Sequence, residues 1–179
     1  MVEAPAVQVG ALKSAMVRIR PAMDGDLTAL TEIYNHYVVN TPITFDVNPV
    51  TPEERRPWFS EHGTGGRHRL LVAEEHGRVM GYASTSRFRP KAAYDTTVEA
   101  SVYCRADAVG RGIGTMLYRE LFQAIAGEDV HRIVAGVTQP NPASVALHTR
   151  AGFQSVGVFE RVGRKFDRYW DVAWFQRPL

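Results

Sequence analysis

Hydrophobic positions along the chain switch between the two-residue period of strands and the longer period of helices. Apolar and polar residues alternate in Val17–Arg20, which predicts a short first strand. From Leu27 to Val38 the apolar residues recur at helical spacing, and Asp24 precedes them as a candidate cap. Alternation returns in residues 69–74 and 79–86, which predicts two strands joined by a hairpin turn.

A second helix is marked by the residues at its start. Thr51 is a candidate N-cap, Pro52 suits the first helical position, and Glu54 completes a capping box. We expect this helix to run through Phe59, because the glycine-rich segment 62–66 then ends it.

The later segments alternate strands with helices. The sequence predicts a strand at 96–104, a strongly amphipathic helix at 113–125, a strand at 131–138, a short helix between Asn141 and Gly152, and strands at 153–159 and 168–176. In the first of these strands, Glu99, Ser101 and Tyr103 are expected on the face opposite Val98, Ala100, Val102 and Cys104. The order β-α-α-β-β-β-α-β-α-β-β predicts an α/β (mixed α+β) protein with one mixed sheet covered by helices.

Length and charge narrow the class of protein. A chain of 179 residues corresponds to about one domain, which we place at residues 17–179 after a flexible tail at 1–16. The net charge of +2 does not suit a polybasic nucleic-acid binder. One cysteine excludes an intramolecular disulfide framework and fits a cytoplasmic protein. No apolar run approaches the ~18 residues that cross a membrane.

A glycine-rich turn stands between a predicted strand and the amphipathic helix. Gly110, Gly112 and Gly114 allow a ligand to approach the backbone, and the amide groups at a helix start suit a phosphate. Arg111 can add a charge-assisted contact. The turn lacks the third glycine of a dinucleotide fingerprint and the Lys-Ser/Thr pair of a Walker loop, so a plain helix-starting turn remains an alternative.

Several segments in order resemble one known superfamily. Residues 109–114 resemble the acetyl-CoA pyrophosphate loop of the GNAT N-acetyltransferases, although Val109 departs from the usual Gln or Arg. Residues 141–153 resemble the last helix and the following strand of the same superfamily. A narrower resemblance, to the phosphinothricin and methionine sulfone/sulfoximine acetyltransferases, is carried by residues 35–37, 93–103, 162–166 and 170–172. Together these matches span roughly residues 17–177.

The resemblance implies a GNAT fold of about seven strands, splayed where acetyl-CoA binds. Its pantetheine arm pairs with a strand edge, whose unpaired N–H and C=O groups suit an amide-bearing ligand. The cofactor-binding residues that it implies are Val102, Tyr103, Cys104, Gly110, Arg111, Gly112, Ile113, Gly114, Thr115, Asn141 and Ser144. No metal site is expected, since His62 and His68 in a glycine-rich loop are weak candidates.

The resemblance also implies catalytic roles for two residues. Glu99 matches a glutamate that acts as general base, directly or through water. His148 stands where many GNAT enzymes carry a tyrosine near the sulfur, and it either protonates the thiolate or fixes the thioester. Taken without the resemblance, Glu99 is a solvent-facing strand residue and His148 a structural one. Cys104 is expected to be a buried, unreactive thiol.

Acceptor-binding residues are expected in two loops, one between the first two helices and one just before the strand that carries Glu99. Arg89 and Lys91 match basic positions that face the anionic acceptor, while Phe45 and Tyr94 could wall its pocket. The alternative for the two cations is a solvated basic loop.

The resemblance therefore predicts an acetyl-CoA-dependent enzyme that acetylates the α-amino group of a small L-amino acid. Phosphinothricin, methionine sulfoximine and methionine sulfone are candidate acceptors. An inactive acyl-CoA-binding sensor and a protein N-acetyltransferase are the alternatives. A homodimer is expected, with Trp170 and Trp174 as interface candidates, and neither nucleic acid nor membrane as a partner.

Overall fold

The computed structural model describes residues 17–179, and the tail predicted at residues 1–16 lies outside them. The strands are β1 (Arg18–Pro21), β2 (Leu70–Glu75), β3 (Arg78–Arg87), β4 (Thr97–Cys104), β5 (Arg132–Gln139), β6 (Gln154–Lys165) and β7 (Arg168–Pro178). The helices are α1 (Leu27–Asn40), α2 (Pro52–Ser60), α3 (Ile113–Ile125) and α4 (Pro142–Arg150).

All seven strands form one sheet in the order β1-β2-β3-β4-β5-β7-β6. Neighbouring strands are antiparallel except β4 and β5, which run parallel. The last strand, β7, lies between β5 and β6. The predicted mixed sheet is therefore confirmed, and its parallel pair lies at the centre.

The central pair separates along its length. β4 and β5 are paired only where Thr97–Glu99 lies opposite Arg132–Val134. Beyond that point β5 continues to pair with β7, and β4 continues to pair with β3. The edges of β4 and β5 that face each other thus part after Glu99, which confirms the expected splay.

Helices cover both faces of the sheet. On one face α3 buries Ile113, Leu117 and Leu121 in a core that includes Val98 and Ala100 of β4. On the other face Leu30 and Ile33 of α1 pack with Tyr82 of β3, and Tyr103 lies against this second core. The two faces of β4 are those predicted from its alternation.

The helix cap predicted from neighbouring residues is correct for α2 and wrong for α1. The capping box forms as predicted: Glu54 N–H donates to Thr51 Oγ1 (3.2 Å), and Thr51 N–H donates to the Glu54 carboxylate (2.8 Å). At α1 the predicted cap was wrong, because Asp24 stands in a short 3-10 turn and Asp26 accepts from the Met23 N–H (2.8 Å). Asp26 immediately precedes α1 without capping it through its side chain, and it pairs instead with Arg20 (2.7 Å), a contact that the local pattern does not show.

The sixth strand is longer than predicted. The expected strand ended at Phe159, but β6 continues to Lys165 through a bulge at which its register with β7 shifts. Arg161 there has a φ of 53°, which interrupts the alternation of apolar and polar residues. The resulting β6–β7 hairpin extends past the end of β5 and contacts the loop between α1 and α2.

Candidate active site

A narrow cleft opens where β4 and β5 part. It has a volume of about 50 Å³, and its walls come from β4, β5, α3, α4 and the loop between α1 and α2. The lining residues are Ile43, Ala100, Ser101, Val102, Tyr103, Tyr118, Gly136, Val137, Thr138, Asn141, Ser144 and His148. Five residues predicted from widely spaced motifs, Val102, Tyr103, Asn141, Ser144 and His148, therefore lie together.

The glycine-rich turn continues this cleft along the start of α3. Gly110 and Gly112 have φ angles of 82° and 77°, a region that glycine adopts without strain. Counting from the start of α3, Met116 has the first backbone N–H that donates a hydrogen bond, and its acceptor is the Gly112 carbonyl. Within residues 17–179 the amides of Ile113, Gly114 and Thr115 have no backbone acceptor, and the positive end of the helix lies here. This geometry suits a pyrophosphate.

Gly114 is required for a different reason. A Cβ atom there would lie 3.0 Å from Leu147 Cδ2 of α4 and 3.8 Å from Val102 Cγ2 of β4. The glycine therefore lets α3 pack closely against α4 and β4. It brings the loop amides to the mouth of the cleft.

Arg111 is already paired in the structure. Its Nη2 donates to Glu75 of β2 at 2.6 Å, and the side chain is partly exposed. A contact between Arg111 and a phosphate would require the guanidinium to share or leave Glu75. The backbone amides are consequently the better-placed groups of the loop.

His148 lies in a closed chain of polar contacts. It is 3% exposed, and its ring stacks on Phe175. Nδ1 lies 2.8 Å from the Ser144 carbonyl, and a carbonyl only accepts, so Nδ1 carries the proton. In the neutral ring Nε2 then accepts from the Tyr118 hydroxyl at 3.0 Å. Burial lowers the pKa of His148, against the opposing effect of the Ser144 carbonyl, which favours this neutral form.

Tyr118 is a site residue that the sequence analysis missed. It lies on the apolar side of α3, is 1% exposed, and presents its hydroxyl to the cleft and to His148. A tyrosine within a stripe of aliphatic residues was the available signal. Because a buried hydroxyl needs a partner, the residue pointed to a polar group across the core.

Glu99 stands at the root of the cleft. It is the last β4 residue in register with β5, opposite Val134, and its β3 neighbour is Ser86. The side chain is half-buried, and no group within residues 17–179 donates a hydrogen bond to it. Burial raises the pKa of Glu99, while the positive charge of Arg89 opposes that rise. A carboxylate in this state has free acceptor capacity and an increased proton affinity.

Cys104 is not activated. Burial raises the pKa of its thiol to about 11, so the thiolate is scarce near neutral pH. The Cys104 carbonyl accepts from the Tyr37 hydroxyl at 2.6 Å, which ties the end of β4 to α1. The raised pKa agrees with the expected unreactive thiol, although Cys104 is half-buried rather than fully buried.

The four acceptor candidates do not form one pocket. Arg89 and Tyr94 line an apolar groove of about 440 Å³ that also includes Phe88, Val134, Phe159 and Trp174. Lys91 is exposed and does not line this groove. Phe45 instead packs against Gly163 of β6, where a Cβ atom would overlap its ring. Lys165 Nζ donates to the Thr44 carbonyl beside it at 2.8 Å, so the hairpin holds the α1–α2 loop.

A polar cavity that the sequence analysis did not predict lies under α2. It has a volume of about 300 Å³ and includes Arg55, Tyr34 and Trp58 together with Ser84, Ser86, Ser101 and Tyr103 of the sheet. Arg55 is 8% exposed. The available signal was an arginine three residues before Trp58, on the side of the helix that carries its aromatic residues.

Two general features complete the description. Within residues 17–179, no three His, Cys, Asp or Glu side chains are grouped as metal ligands. None of the helices found there is both long and apolar enough to span a bilayer.

Comparison with known proteins agrees with this geometry. The family described as "Acetyltransferase (GNAT) domain" matches residues 19–174. The chain is 55% identical over 168 residues to a phosphinothricin N-acetyltransferase of Streptomyces coelicolor, covering 93% of this chain and 98% of the relative. It is 37% identical over 161 residues to an L-methionine sulfoximine/L-methionine sulfone acetyltransferase of Pseudomonas paraeruginosa, covering 90% and 94%.

Solved structures show the same fold. A phosphinothricin acetyltransferase from Sinorhizobium meliloti, in complex with acetyl-CoA, superposes with a TM-score of 0.85 at 37% identity, covering 91% of this chain and 88% of that one. A structure named as a ribosomal-protein-alanine N-acetyltransferase from Brucella melitensis also gives a TM-score of 0.85 at 38% identity, covering 90% and 99%.

Proposed function

Because the chain belongs to the GNAT acetyltransferases, with acetyl-CoA as co-substrate, we propose that it acetylates the α-amino group of a small L-amino acid. The acceptor that we favour ends in an oxygen-bearing phosphorus or sulfur centre, as in phosphinothricin, methionine sulfoximine or methionine sulfone. The relatives named for these compounds support that choice. The observation that carries the proposal is the free, half-buried carboxylate of Glu99 where β4 and β5 part.

In this proposal the parted strands and the α3 start hold acetyl-CoA. The unpaired edge of β4, from Ala100 to Cys104, offers backbone groups to the amides of the pantetheine arm. The amides of Ile113, Gly114 and Thr115 bind the pyrophosphate. Asn141 caps α4 by accepting from the Ser144 N–H at 3.1 Å, which fixes that wall of the cleft. When bound, the thioester supplies an activated acetyl group.

Glu99 accepts the proton of the acceptor's ammonium group, directly or through a water molecule. The freed amine then attacks the thioester carbonyl carbon. A C–N bond forms, the C–S bond breaks, and the sulfur leaves as a thiolate that takes up the proton released by the new amide nitrogen. The raised pKa of Glu99 suits this role, because a base is more effective when its pKa approaches the working pH.

His148 has a positioning role in this scheme. Its Nδ1 proton is held by Ser144, and its Nε2 accepts from Tyr118, so neither nitrogen points a free proton into the cleft. The ring therefore fixes the direction of the Tyr118 hydroxyl. This arrangement favours the positioning role over direct protonation of the thiolate by His148.

Arg89 is the loop cation placed to act on the acceptor. It lines the apolar groove, and its positive charge acts on Glu99 by opposing the rise in pKa that burial causes there. We assign it to the polar tip of the acceptor side chain, with Tyr94 as a neighbouring wall. Lys91, which is exposed outside the groove, is given a weaker role.

We also propose a cytoplasmic homodimer that uses the outer face of β6. Apolar side chains stand exposed along and beside this edge strand, at Val156, Val158, Phe159, Val162 and Tyr169. An apolar edge strand of this length is a site of association, and a second copy would cover it. Trp174 lies in the apolar groove, which Val156, Val158 and Phe159 of this strand also line. Sedimentation of the wild type and of Phe159→Asp tests the proposal: a wild-type monomer would contradict it.

An acceptor panel tests the proposed function. Free-thiol release from acetyl-CoA is measured with phosphinothricin, methionine sulfone, methionine sulfoximine, methionine and an alanine-ended peptide. The sulfone and sulfoximine should exceed methionine, which lacks their oxygens. A peptide that is the best acceptor would favour protein N-acetylation, to which the Brucella melitensis neighbour's name points. Acetyl-CoA binding without turnover on any acceptor would favour a sensor.

A further inference from the structure

Arg55 is a buried guanidinium without an ion-pair partner. Its guanidinium carbon lies 3.8 Å from the ring centre of Tyr34 and 4.1 Å from that of Trp58. Nη2 donates to the Tyr82 hydroxyl at 2.8 Å, while buried Nε has no hydrogen-bond partner. Among the ion pairs formed by residues 17–179, none includes Arg55. A buried charge of this kind is costly unless an anion joins it.

The carboxylates that line the same cavity do not neutralise it. Asp46 accepts from the Tyr34 hydroxyl at 2.6 Å. Glu54 accepts from the Thr51 N–H at 2.8 Å as part of the α2 capping box. Each of these groups therefore has a partner elsewhere, and the guanidinium keeps donor capacity toward the cavity.

The cavity begins beside the candidate base. Ser86, on its wall, is the β3 register partner of Glu99. Ser101, also on its wall, is the next β4 residue on the face that carries Glu99. A small molecule with an anionic group against Arg55 would thus extend along the sheet toward Glu99. The cavity has a volume of about 300 Å³, which is at the lower end of the range for small-molecule sites.

We propose that Arg55 binds the α-carboxylate of the acceptor amino acid. The inference rests on the proposed function, whose candidate acceptors differ at the side-chain tip and share the amino and carboxylate groups. A buried, always-charged guanidinium suits the shared group, because it pairs with a planar carboxylate through two parallel bonds. The exposed cation Arg89 then serves the variable tip. Arg55 is a specificity-determining residue in this assignment, and it takes no part in proton transfer.

The test compares two acceptors that differ only at the proposed contact. L-methionine sulfone and its α-carboxamide are assayed at saturating acetyl-CoA by free-thiol release. Wild type should prefer the carboxylate in kcat/KM by roughly 10- to 150-fold, the range of one charge-assisted contact. Arg55→Met keeps much of the side-chain volume and removes the charge. It should lose most of the activity toward the carboxylate and little toward the carboxamide.

The neighbouring residue supplies a matched control. Arg56 follows on the same helix, and its side chain is 54% exposed and reaches Asp24 only at 4.0 Å. Arg56→Met should retain the wild-type preference for the carboxylate. Comparing each acceptor between variants cancels the different basicities of the two amines, so the change in the preference isolates Arg55.

Several results would overturn the inference. Equal losses on both acceptors in Arg55→Met would make the residue structural. If that variant does not fold, Arg55→Lys replaces it: retained charge should keep part of the preference, and an equal loss on both acceptors again contradicts the assignment. A variant that instead loses only the distinction between phosphinothricin and methionine sulfone would assign Arg55 to the tip. If the wild type acetylates both acceptors equally, the assignment of Arg55 to the α-carboxylate is refuted. If the wild type acetylates no amino acid, the proposed function is refuted.

Discussion

The two halves of the candidate active site are built from different kinds of chemical group. The acetyl-CoA half, along β4 and the start of α3, offers mainly backbone amides and a strand edge. The acceptor half, toward α2 and the β6–β7 hairpin, offers side chains: Arg55, Arg89 and aromatic rings. Glu99 lies between them.

This difference predicts which substitutions each half should tolerate. Backbone recognition depends on conformation, so Val109 in place of the usual Gln or Arg leaves the amides of the loop in position. Side-chain recognition depends on identity, so a changed residue changes which acceptor fits. We therefore expect changes in one half to alter acetyl-CoA affinity, and changes in the other to alter acceptor specificity.

The largest effect is expected at the boundary between the halves. Glu99→Gln keeps the shape of the side chain and removes its ability to take a proton, so kcat should fall by about 10²- to 10⁴-fold. Acetyl-CoA affinity, measured by calorimetry, should stay within a few-fold of wild type. Near-normal turnover of the variant across a pH series would show that another group is the base.

The second effect belongs to the acetyl-CoA half alone. Gly112→Asp places a carboxylate beside the pyrophosphate site, and the repulsion between the two negative groups should weaken acetyl-CoA binding by roughly 10- to 100-fold, or about 1.4–2.8 kcal/mol. Gly66→Asp, at another glycine with φ of 80°, controls for backbone strain. Unchanged affinity in a folded Gly112→Asp variant would mean that the loop does not hold the pyrophosphate.

The third effect belongs to the acceptor half. In Gly163→Ala the new methyl group overlaps the Phe45 ring, so the contact between the hairpin and the α1–α2 loop must shift. Overpacking of this kind costs about 1–3 kcal/mol of unfolding free energy, and acceptor KM should rise several-fold. Gly127→Ala, where a Cβ meets nothing within 4 Å and which lies outside the acceptor groove, is the control. A rise in acetyl-CoA Kd with acceptor KM unchanged would contradict the division between the halves.

The smallest effect is a shift in pH dependence. The Arg89 charge lowers the pKa of Glu99, so Arg89→Ala should raise that pKa. Since the base must be ionised, the acid limb of kcat/KM should move to higher pH, by less than about one unit because Arg89 is exposed. Acceptor KM should rise by about tenfold or less. Arg119→Ala, on α3, is the control. If the acid limb of Arg89→Ala stays at the wild-type position, as the limb of this control should, then the Arg89 charge does not influence Glu99.

Much of the fold could be predicted because its signals are local. The capping box of α2, the alternation of β4 and the amphipathic stripe of α3 lie within a few residues of one another, so they can be read directly from neighbouring positions. Each motif of the acetyl-CoA half is likewise a short contiguous run of residues, although the motifs lie apart in the chain. The start of α1 and the extension of β6 were mispredicted because each involves contacts that the spacing of residues does not show: the Arg20–Asp26 ion pair at the first, and the shifted pairing with β7 at the second.

Contacts between elements that are far apart in the chain determined what the sequence left open. The sequence by itself determined the order of elements, the glycine turn and the candidacy of Glu99. Only the tertiary structure joined Tyr118 to His148, 30 residues apart, and closed Tyr34, Trp58 and Tyr82 around Arg55. The environment of a buried polar group depends on which distant side chains surround it, and that arrangement follows from packing of the whole chain rather than from residue spacing.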